Sequence, residues 1–134
     1  MYKKLHIESK ISGIREIEKT IDIITVENGV KQESYGKILI ATLEAVNNAI
    51  IHGNLSDENK YVDVEFTIEK NNLQIIVTDE GKGFRPKEVP DPTKPENLEE
   101  INGRGVFLMM KLADEIEFNK KGNSVKMTFK KIRS

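Results

Sequence analysis

The sequence predicts an α+β fold, a two-layer sandwich in which helices pack on one face of a largely antiparallel mixed sheet. In residues 11–52 the apolar side chains recur at steps of three and four residues, which is typical of helices. From residue 62 onward apolar and polar residues alternate in short segments that flank turn residues, which is typical of β-hairpins. Hairpins with helices inserted between them favour a layer of helices on a sheet.

The first half of the chain is predicted to contain one strand and two helices. A short strand covers residues 3–8, and an amphipathic helix follows from Ile11 to about Val30, with Asn28-Gly29 as its stop signal. A second helix runs from about Gln32 to His52 and ends at Gly53. Because apolar residues cover most of its circumference, this helix is expected to be buried on several sides.

The second half is predicted to supply four strands, at residues 62–69, 73–78, 116–118 and 125–129. A third helix is predicted at about residues 105–112. Residues 80–102 show no periodicity and contain all four prolines of the protein. Structureless loops of this length are uncommon in compact domains and are often lids or binding loops. We therefore expect a lid loop at about residues 84–102. Disorder is the alternative, and the two are compatible if a ligand orders the loop.

Length and composition limit the possible functions. The 134 residues predict a single domain, residues 1–134. The net charge is −1 and the basic residues are scattered, so a nucleic-acid-binding face is not expected. The absence of cysteine excludes a disulfide framework, a thiolate metal site and a cysteine nucleophile. No signal-peptide core and no apolar run of membrane-spanning length are present, so a cytoplasmic location is expected.

Glu44 and Asn48 are the first candidate site residues. They lie four residues apart in the second predicted helix and therefore share one helix face. A carboxylate beside an amide oxygen suits a hard cation such as magnesium, and the carboxylate can instead deprotonate a hydroxyl that attacks a phosphate. The alternative is a polar stripe that faces solvent. The nearby His52 is interpreted as a capping or packing residue, since no second His or Cys accompanies it.

Two glycine-containing turns are the next candidates. Asp79 ends a predicted strand and precedes Gly81 and Gly83. There a carboxylate can accept a hydrogen bond from an exocyclic amine, and the glycines allow a flat ligand to approach the backbone. Residues 103–105 lead into the third predicted helix, whose free N–H groups and dipole suit phosphates. An ordinary strand-ending turn and a flexible helix start with Asn102 near the N-cap are the alternatives.

The order and spacing of these segments resemble the motifs of the GHKL, or Bergerat-fold, ATPases, a superfamily that includes histidine kinases and gyrase. Residues 44–53 resemble its N-box, residues 79–84 its first glycine box, and residues 103–105 its second. Residues 122–125 are similar to its late Gly-Thr segment, with Ser124 in place of the usual threonine. Within the superfamily the chain is most similar to bacterial anti-sigma factor serine kinases, over nearly its whole length.

The resemblance implies Mg-ATP as the cofactor and a role for each candidate residue. Asn48 would ligate magnesium, and Glu44 would be the base that acts on a protein serine or threonine hydroxyl. Asp79 would accept a hydrogen bond from the adenine amine. The other residues implied to shape the nucleotide pocket or hold the phosphates are Gly81, Gly83, Phe84, Gly103, Arg104, Gly105 and Ser124.

The resemblance also implies an activity and partners. It predicts a protein-serine/threonine kinase that phosphorylates an anti-anti-sigma protein of the STAS fold and sequesters a sigma factor, and so regulates transcription. A homodimer is a further expectation. The alternatives are a nucleotide-gated interaction module without phosphotransfer and a stand-alone histidine-kinase-type ATPase domain. The first predicted helix contains no histidine that could accept a phosphate.

Overall fold

The computed structural model describes residues 1–82 and 101–134, and the side chains of the second range from residue 105 onward. The amino-terminal elements are β1 (Tyr2–Glu8), α1 (Ile11–Glu27) and α2 (Gln32–Asn48), and a π-helical turn at Ala49–Gly53 follows α2 directly. The remaining elements are β2 (Tyr61–Glu69), β3 (Asn72–Thr78), α3 (Ile101–Leu112), β4 (Glu115–Phe118) and β5 (Ser124–Phe129).

The strands form one sheet in the order β1-β2-β3-β5-β4, with every neighbouring pair antiparallel. The predicted α+β class is confirmed, but the described sheet is fully antiparallel rather than mixed. The reason lies in the last connection: α3 leads the chain to the outer edge, and β5 returns between β4 and β3. A direct β3-to-β4 pairing through a helix would have been parallel.

The core lies between one face of the sheet and the helices. Alternate residues of β2 and β3 point into it, while their neighbours on the other face are polar or partly exposed. The largest fully buried side chains come from all three helices, from β1 and the central strands, and from the segment after β5; they include Ile7, Ile17, Ile21, Ile38, Phe66, Leu73, Ile75, Met109, Met127 and Ile132. Of the helices in the described part of the chain, none has the length and apolarity needed to cross a bilayer.

The predicted stop of α1 at Asn28-Gly29 is confirmed, although the helix ends at Glu27 rather than Val30. Gly29 has a φ of 64° and donates its N–H to the Val26 carbonyl, and the Val30 N–H reaches the Thr25 carbonyl at 2.9 Å. This pair of bonds is the Schellman motif, which satisfies carbonyls at a helix end and favours glycine at the left-handed position.

Both other helices depart from their predicted bounds. The second does not continue to His52 as an α-helix, because the Asn54 N–H bonds the Ala49 carbonyl, five residues back, at 2.8 Å. The third begins at Ile101, four residues before its predicted start, so Gly103–Gly105 lie inside the helix. Glycines are weak helix formers, which is why the sequence indicated a turn there. Most of the predicted lid loop, residues 84–100, lies outside the described residues.

The junction between β1 and α1 is closely packed at Gly13. A Cβ placed on Gly13 would lie 2.5 Å from the Glu8 carbonyl oxygen, a backbone atom that cannot rotate away. Gly36 in α2 is the opposite case, since a Cβ there would meet nothing within 4 Å.

Gly13→Ala should therefore destabilise the protein by about 1–3 kcal/mol, as overpacking does. Gly36→Ala should stabilise it by about 0.5–1 kcal/mol, because alanine loses less entropy in a helix. Urea unfolding monitored by circular dichroism measures both changes. Equal effects of the two substitutions would contradict the packing argument.

Candidate functional site

The candidate site lies where the carboxyl end of α2, the end of β3 and the first turns of α3 meet. A Cβ on Gly105 would lie 2.8 Å from Nδ2 and 3.0 Å from Oδ1 of Asn48, so α3 passes directly over that amide. A Cβ on Gly53 would lie 2.3 Å from the carboxylate carbon of Asp79. The structure thus brings together three of the four segments in which the sequence predicted site residues.

Gly53 and Gly81 are required by close packing against protein atoms. A Cβ on Gly81 would lie 2.0 Å from the Gly53 carbonyl oxygen, well inside van der Waals contact. Neither glycine is among the described residues with positive φ. Gly81 therefore serves the contact between two protein loops, and its role in ligand approach stays a prediction. Gly53 was predicted only as a helix terminator, although its contact with Asp79 makes it part of the site.

Asp79 is a half-buried carboxylate with one oxygen engaged. Its Oδ1 accepts a 2.7 Å hydrogen bond from the Gly81 N–H. Within the described residues its Oδ2 has no hydrogen-bond partner, so it is free to accept one from a ligand amine. Burial raises the pKa of Asp79, and this effect outweighs the lowering by the Gly81 N–H and by the charges of Lys121 and Lys60.

The hairpin between β4 and β5 holds the backbone of Asp79. The Asp79 N–H donates to the Asn123 carbonyl at 2.9 Å, and Asn123 Nδ2 donates to the Asp79 carbonyl at 3.0 Å. Next to this pair, the hydroxyls of Thr78 and Ser124 lie 2.9 Å apart. Ser124 was a predicted site residue and lies beside Asp79. Asn123 was missed, and its position just after Gly122 in a hairpin turn was the signal available.

Asn54 is a second residue that the sequence analysis missed. Its side chain is fully buried, and Nδ2 donates to Ser9 Oγ and to the Tyr61 carbonyl, each at 2.9 Å. Its Oδ1 accepts from the Glu80 N–H at 2.8 Å. One amide thereby links the ends of β1 and β3, the start of β2 and the π-helical turn. Because such a position lies outside any periodic pattern, its burial has no signature in the sequence.

Glu44 and Asn48 are half-buried and lie one helical turn apart at the end of α2. Within residues 1–82 and 105–134 neither side chain has a hydrogen-bond or ion-pair partner. Their polar atoms are not among the buried atoms that lack a partner, so they remain accessible and available to a ligand.

The donor set at Glu44 and Asn48 fits magnesium. The described residues contain no cluster of three or more His, Cys, Asp or Glu side chains that could hold a metal. Magnesium needs few protein ligands, because it retains water molecules and binds substrate phosphates. The nearby His52 belongs to no such cluster, and burial lowers the pKa of its imidazole, which favours the neutral form.

The remaining predicted residues lie in or beside the undescribed segment. Gly83 and Phe84 are outside the described residues, and Gly103 and Arg104 are described only as part of α3. An α-helix leaves its first N–H groups without intrahelical partners. Because the helix starts at Ile101, Gly103 is among the residues with such a free N–H. Gly105 lies in the second turn, and its missing side chain leaves room for the amide of Asn48.

A family model described as "Histidine kinase-like ATPase domain" matches residues 8–129. The chain belongs to this family. Membership confirms the superfamily that the motifs indicated, and the ATPase description identifies ATP as the nucleotide of this histidine kinase-like domain.

Curated relatives of this histidine kinase-like domain have two kinds of name. "Serine-protein kinase RsbW" of Bacillus subtilis is 28% identical, and the match covers 92% of this chain and 84% of the relative. "Anti-sigma F factor" of Clostridium perfringens strain SM101 is 36% identical, with 74% of this chain and 73% of the relative covered.

A solved structure of the RsbU and RsbW domains of a Mycobacterium tuberculosis protein matches with a TM-score of 0.64 and 19% identity. The match covers 95% of this histidine kinase-like chain but 31% of that protein. This likeness supports the fold, including the helices on one face of the sheet.

The raised pKa of Asp79 predicts a pH-dependent difference in stability between the wild type and Asp79→Asn. The folded state holds this proton more tightly than the unfolded state, so Asp79 favours folding below its unfolded pKa. That contribution is lost as pH rises through the folded pKa, and wild type should lose stability relative to the variant across this window. Urea unfolding of both proteins at several pH values and fixed salt measures the difference.

Glu16→Gln is the control, because Glu16 is an exposed carboxylate on α1 and its replacement shows the effect on stability of removing one negative charge elsewhere. A constant difference between wild type and Asp79→Asn from acid to neutral pH would show that burial does not perturb this carboxyl group.

Proposed function

We propose that this chain is an anti-sigma regulatory factor with protein-serine/threonine kinase activity, which transfers the γ-phosphate of ATP to an anti-anti-sigma protein and sequesters a sigma factor. The observation that carries the proposal is the pair of half-buried side chains Glu44 and Asn48, which have no partner within residues 1–82 and 105–134, with Asn48 beside Gly105 of α3. The names of the relatives, serine-protein kinase and anti-sigma factor, support the same function.

The nucleotide is bound between the end of β3 and the start of α3. The free oxygen of Asp79 accepts a hydrogen bond from the adenine amine, since its partner oxygen is already fixed by the Gly81 N–H. Ser124 lies next to this position, paired with Thr78. The free N–H groups of the first turn of α3, including that of Gly103, face the negative charge of the phosphates, with Arg104 as an added cation.

Phosphate transfer requires a base and charge neutralisation near the end of α2. Asn48 would hold magnesium, which supplies charge neutralisation on the phosphates when bound. Glu44 accepts the proton of the attacking serine or threonine hydroxyl of the partner protein. The hydroxyl oxygen forms a bond to the γ-phosphorus as the bond from that phosphorus to the β–γ bridging oxygen breaks, which releases ADP.

The partners belong to the proposal as well. An anti-anti-sigma protein of the STAS fold is the proposed phosphoacceptor, a sigma factor is the proposed sequestered protein, and a homodimer is the proposed assembly. Ile11, Ile23 and Val26 on α1 are exposed apolar side chains of the kind that protein contacts cover.

Glu44→Ala and Glu44→Gln should abolish phosphate transfer while ATP binding is retained. Loss of a general base lowers the rate by about 100- to 10,000-fold. Transfer from γ-labelled ATP to candidate STAS proteins from the same genome measures the rate, and calorimetry measures nucleotide affinity.

Asn47→Ala is the matched control, because Asn47 is exposed on the same helix and adjacent to Asn48. It should transfer phosphate at the wild-type rate, whereas Asn48→Ala should not. If the wild type binds ATP but transfers phosphate to no candidate protein, the kinase proposal is wrong and a nucleotide-gated binding module is favoured.

Asp79→Asn should weaken adenine nucleotide binding by about tenfold or more, since a hydrogen bond to a charged group contributes about 1.5–3 kcal/mol. Glu44→Ala should change the affinity far less. Calorimetry with ATP and GTP tests this, and the loss should be specific to the adenine nucleotide. Equal ATP affinity of wild type and Asp79→Asn would remove the proposed adenine contact.

A further inference from the structure

We propose that the amino-terminal end of α2, at the opposite end of the helix from Glu44 and Asn48, binds a phosphate group. A cavity of about 170 Å³ opens there between the start of α2 and the segment that follows β5. Four lysines line it, Lys31, Lys37, Lys130 and Lys131, together with the buried Ser34. The proposal concerns a different part of the molecule from the ATP site and does not depend on the proposed kinase activity.

The first turn of α2 has free donors because its N-cap cannot satisfy them. The N-cap residue is Lys31, whose side chain has no acceptor atom and makes no capping bond. The first intrahelical bond runs from the Tyr35 N–H to the Lys31 carbonyl at 3.0 Å. Within the described chain the N–H groups of residues 32–34 have no hydrogen-bond acceptor. Two of these residues, Glu33 and Ser34, line the cavity, so their N–H groups lie beside it at the positive end of the helix dipole.

Ser34 is the independent sign of a ligand. Ser34 is only 7% exposed and lines the cavity. Among the residues that the structure describes, its hydroxyl has no hydrogen-bond partner. The hydroxyl oxygen stays accessible from the cavity, although a serine in a helix usually bonds a nearby carbonyl. An anion in the cavity would give this hydroxyl an acceptor.

The charges around the cavity favour an anion. Glu33 and Asp114 are the two carboxylates of the lining, against four ammonium groups. Glu33 pairs with Lys37 at 3.7 Å, and Asp114 accepts the Lys130 N–H at 2.6 Å. The Lys130 ammonium pairs with Glu115 outside the cavity at 2.7 Å. Lys31 and Lys131 have no ion-pair partner in the described residues, and together they outweigh the negative charge of Asp114, so the lining keeps a net positive charge.

The number of donors favours a phosphate group over a carboxylate. The two N–H groups of Glu33 and Ser34, one hydroxyl and two ammonium groups are more donors than two carboxylate oxygens can accept with good geometry. A phosphate monoester presents three strong acceptor oxygens. The cavity holds the volume of several water molecules, at about 30 Å³ each, which fits one phosphate group. The group is either inorganic phosphate or the phosphate of a modified side chain on a partner.

The test is a titration of the full chain with inorganic phosphate, followed by the backbone amide resonances. Ionic strength is held constant with chloride, and the titration is repeated with ADP present so that the ATP site is filled. The amides of residues 32–34 should shift saturably in both titrations. The double variant Lys31→Gln, Lys131→Gln should weaken phosphate binding at least tenfold, and Ser34→Ala by about tenfold.

The control is Lys3→Gln, Lys4→Gln, which removes the same charge from β1, away from the cavity. It should change the affinity less than about twofold, because exposed charges more than about 10 Å away are screened. No saturable shift at residues 32–34, or equal weakening by both double variants, would overturn the proposal. Titrations with a phosphoserine peptide and with its unmodified form identify the source of the phosphate group. If the phosphopeptide binds more tightly than inorganic phosphate, the ligand is a modified side chain of a partner; if it binds more weakly, the ligand is the free anion.

Discussion

The buried amide of Asn54 is the interaction on which the rest of this site depends. It contacts the ends of β1 and β3 and the start of β2, and its own N–H closes the π-helical turn after α2. No hydrophobic contact could hold these four segments, because each presents a polar group that needs a partner where water is excluded. A polar residue in this position therefore fixes relative placement, while the aliphatic residues of α1, α2 and the sheet supply the bulk of the burial energy.

The glycines of the site extend this constraint to the backbone. Gly53 touches the carboxylate of Asp79, and Gly81 touches the carbonyl of Gly53, so the two loops meet at distances that no side chain would permit. On the other side, Gly105 allows α3 to reach Asn48. The position of the proposed adenine acceptor and the position of the proposed magnesium ligand are consequently set by the end of α2 and the π-helical turn that follows it. A shift of that helix end would displace both.

Much of this could be predicted from the sequence, because the signals are local. The alternation of apolar and polar residues in 62–69 predicted β2. Asn28-Gly29 predicted the end of α1, because the helix end needs a glycine in the left-handed conformation there. The predicted start of α3 was wrong, since Gly105, a poor helix former on its own, lies inside a helix that packs against Asn48 of α2. Asn54 and Asn123 were missed, because their partners lie far away in the chain and pairing between distant backbone groups leaves no periodic trace.

The π-helical turn at Ala49–Gly53 has a consequence for how this segment can vary. Its bond from the Asn54 N–H to the Ala49 carbonyl accommodates one more residue than an α-helical turn does. Deleting any residue between Asn48 and Asn54 would restore an ordinary helix, but it would also rotate Gly53 away from Asp79 and withdraw the Asn54 amide from three polar groups. Substitutions on the outer side of the turn are compatible with the fold, whereas insertions and deletions are not. Chain length here is fixed as strictly as the identity of Gly53.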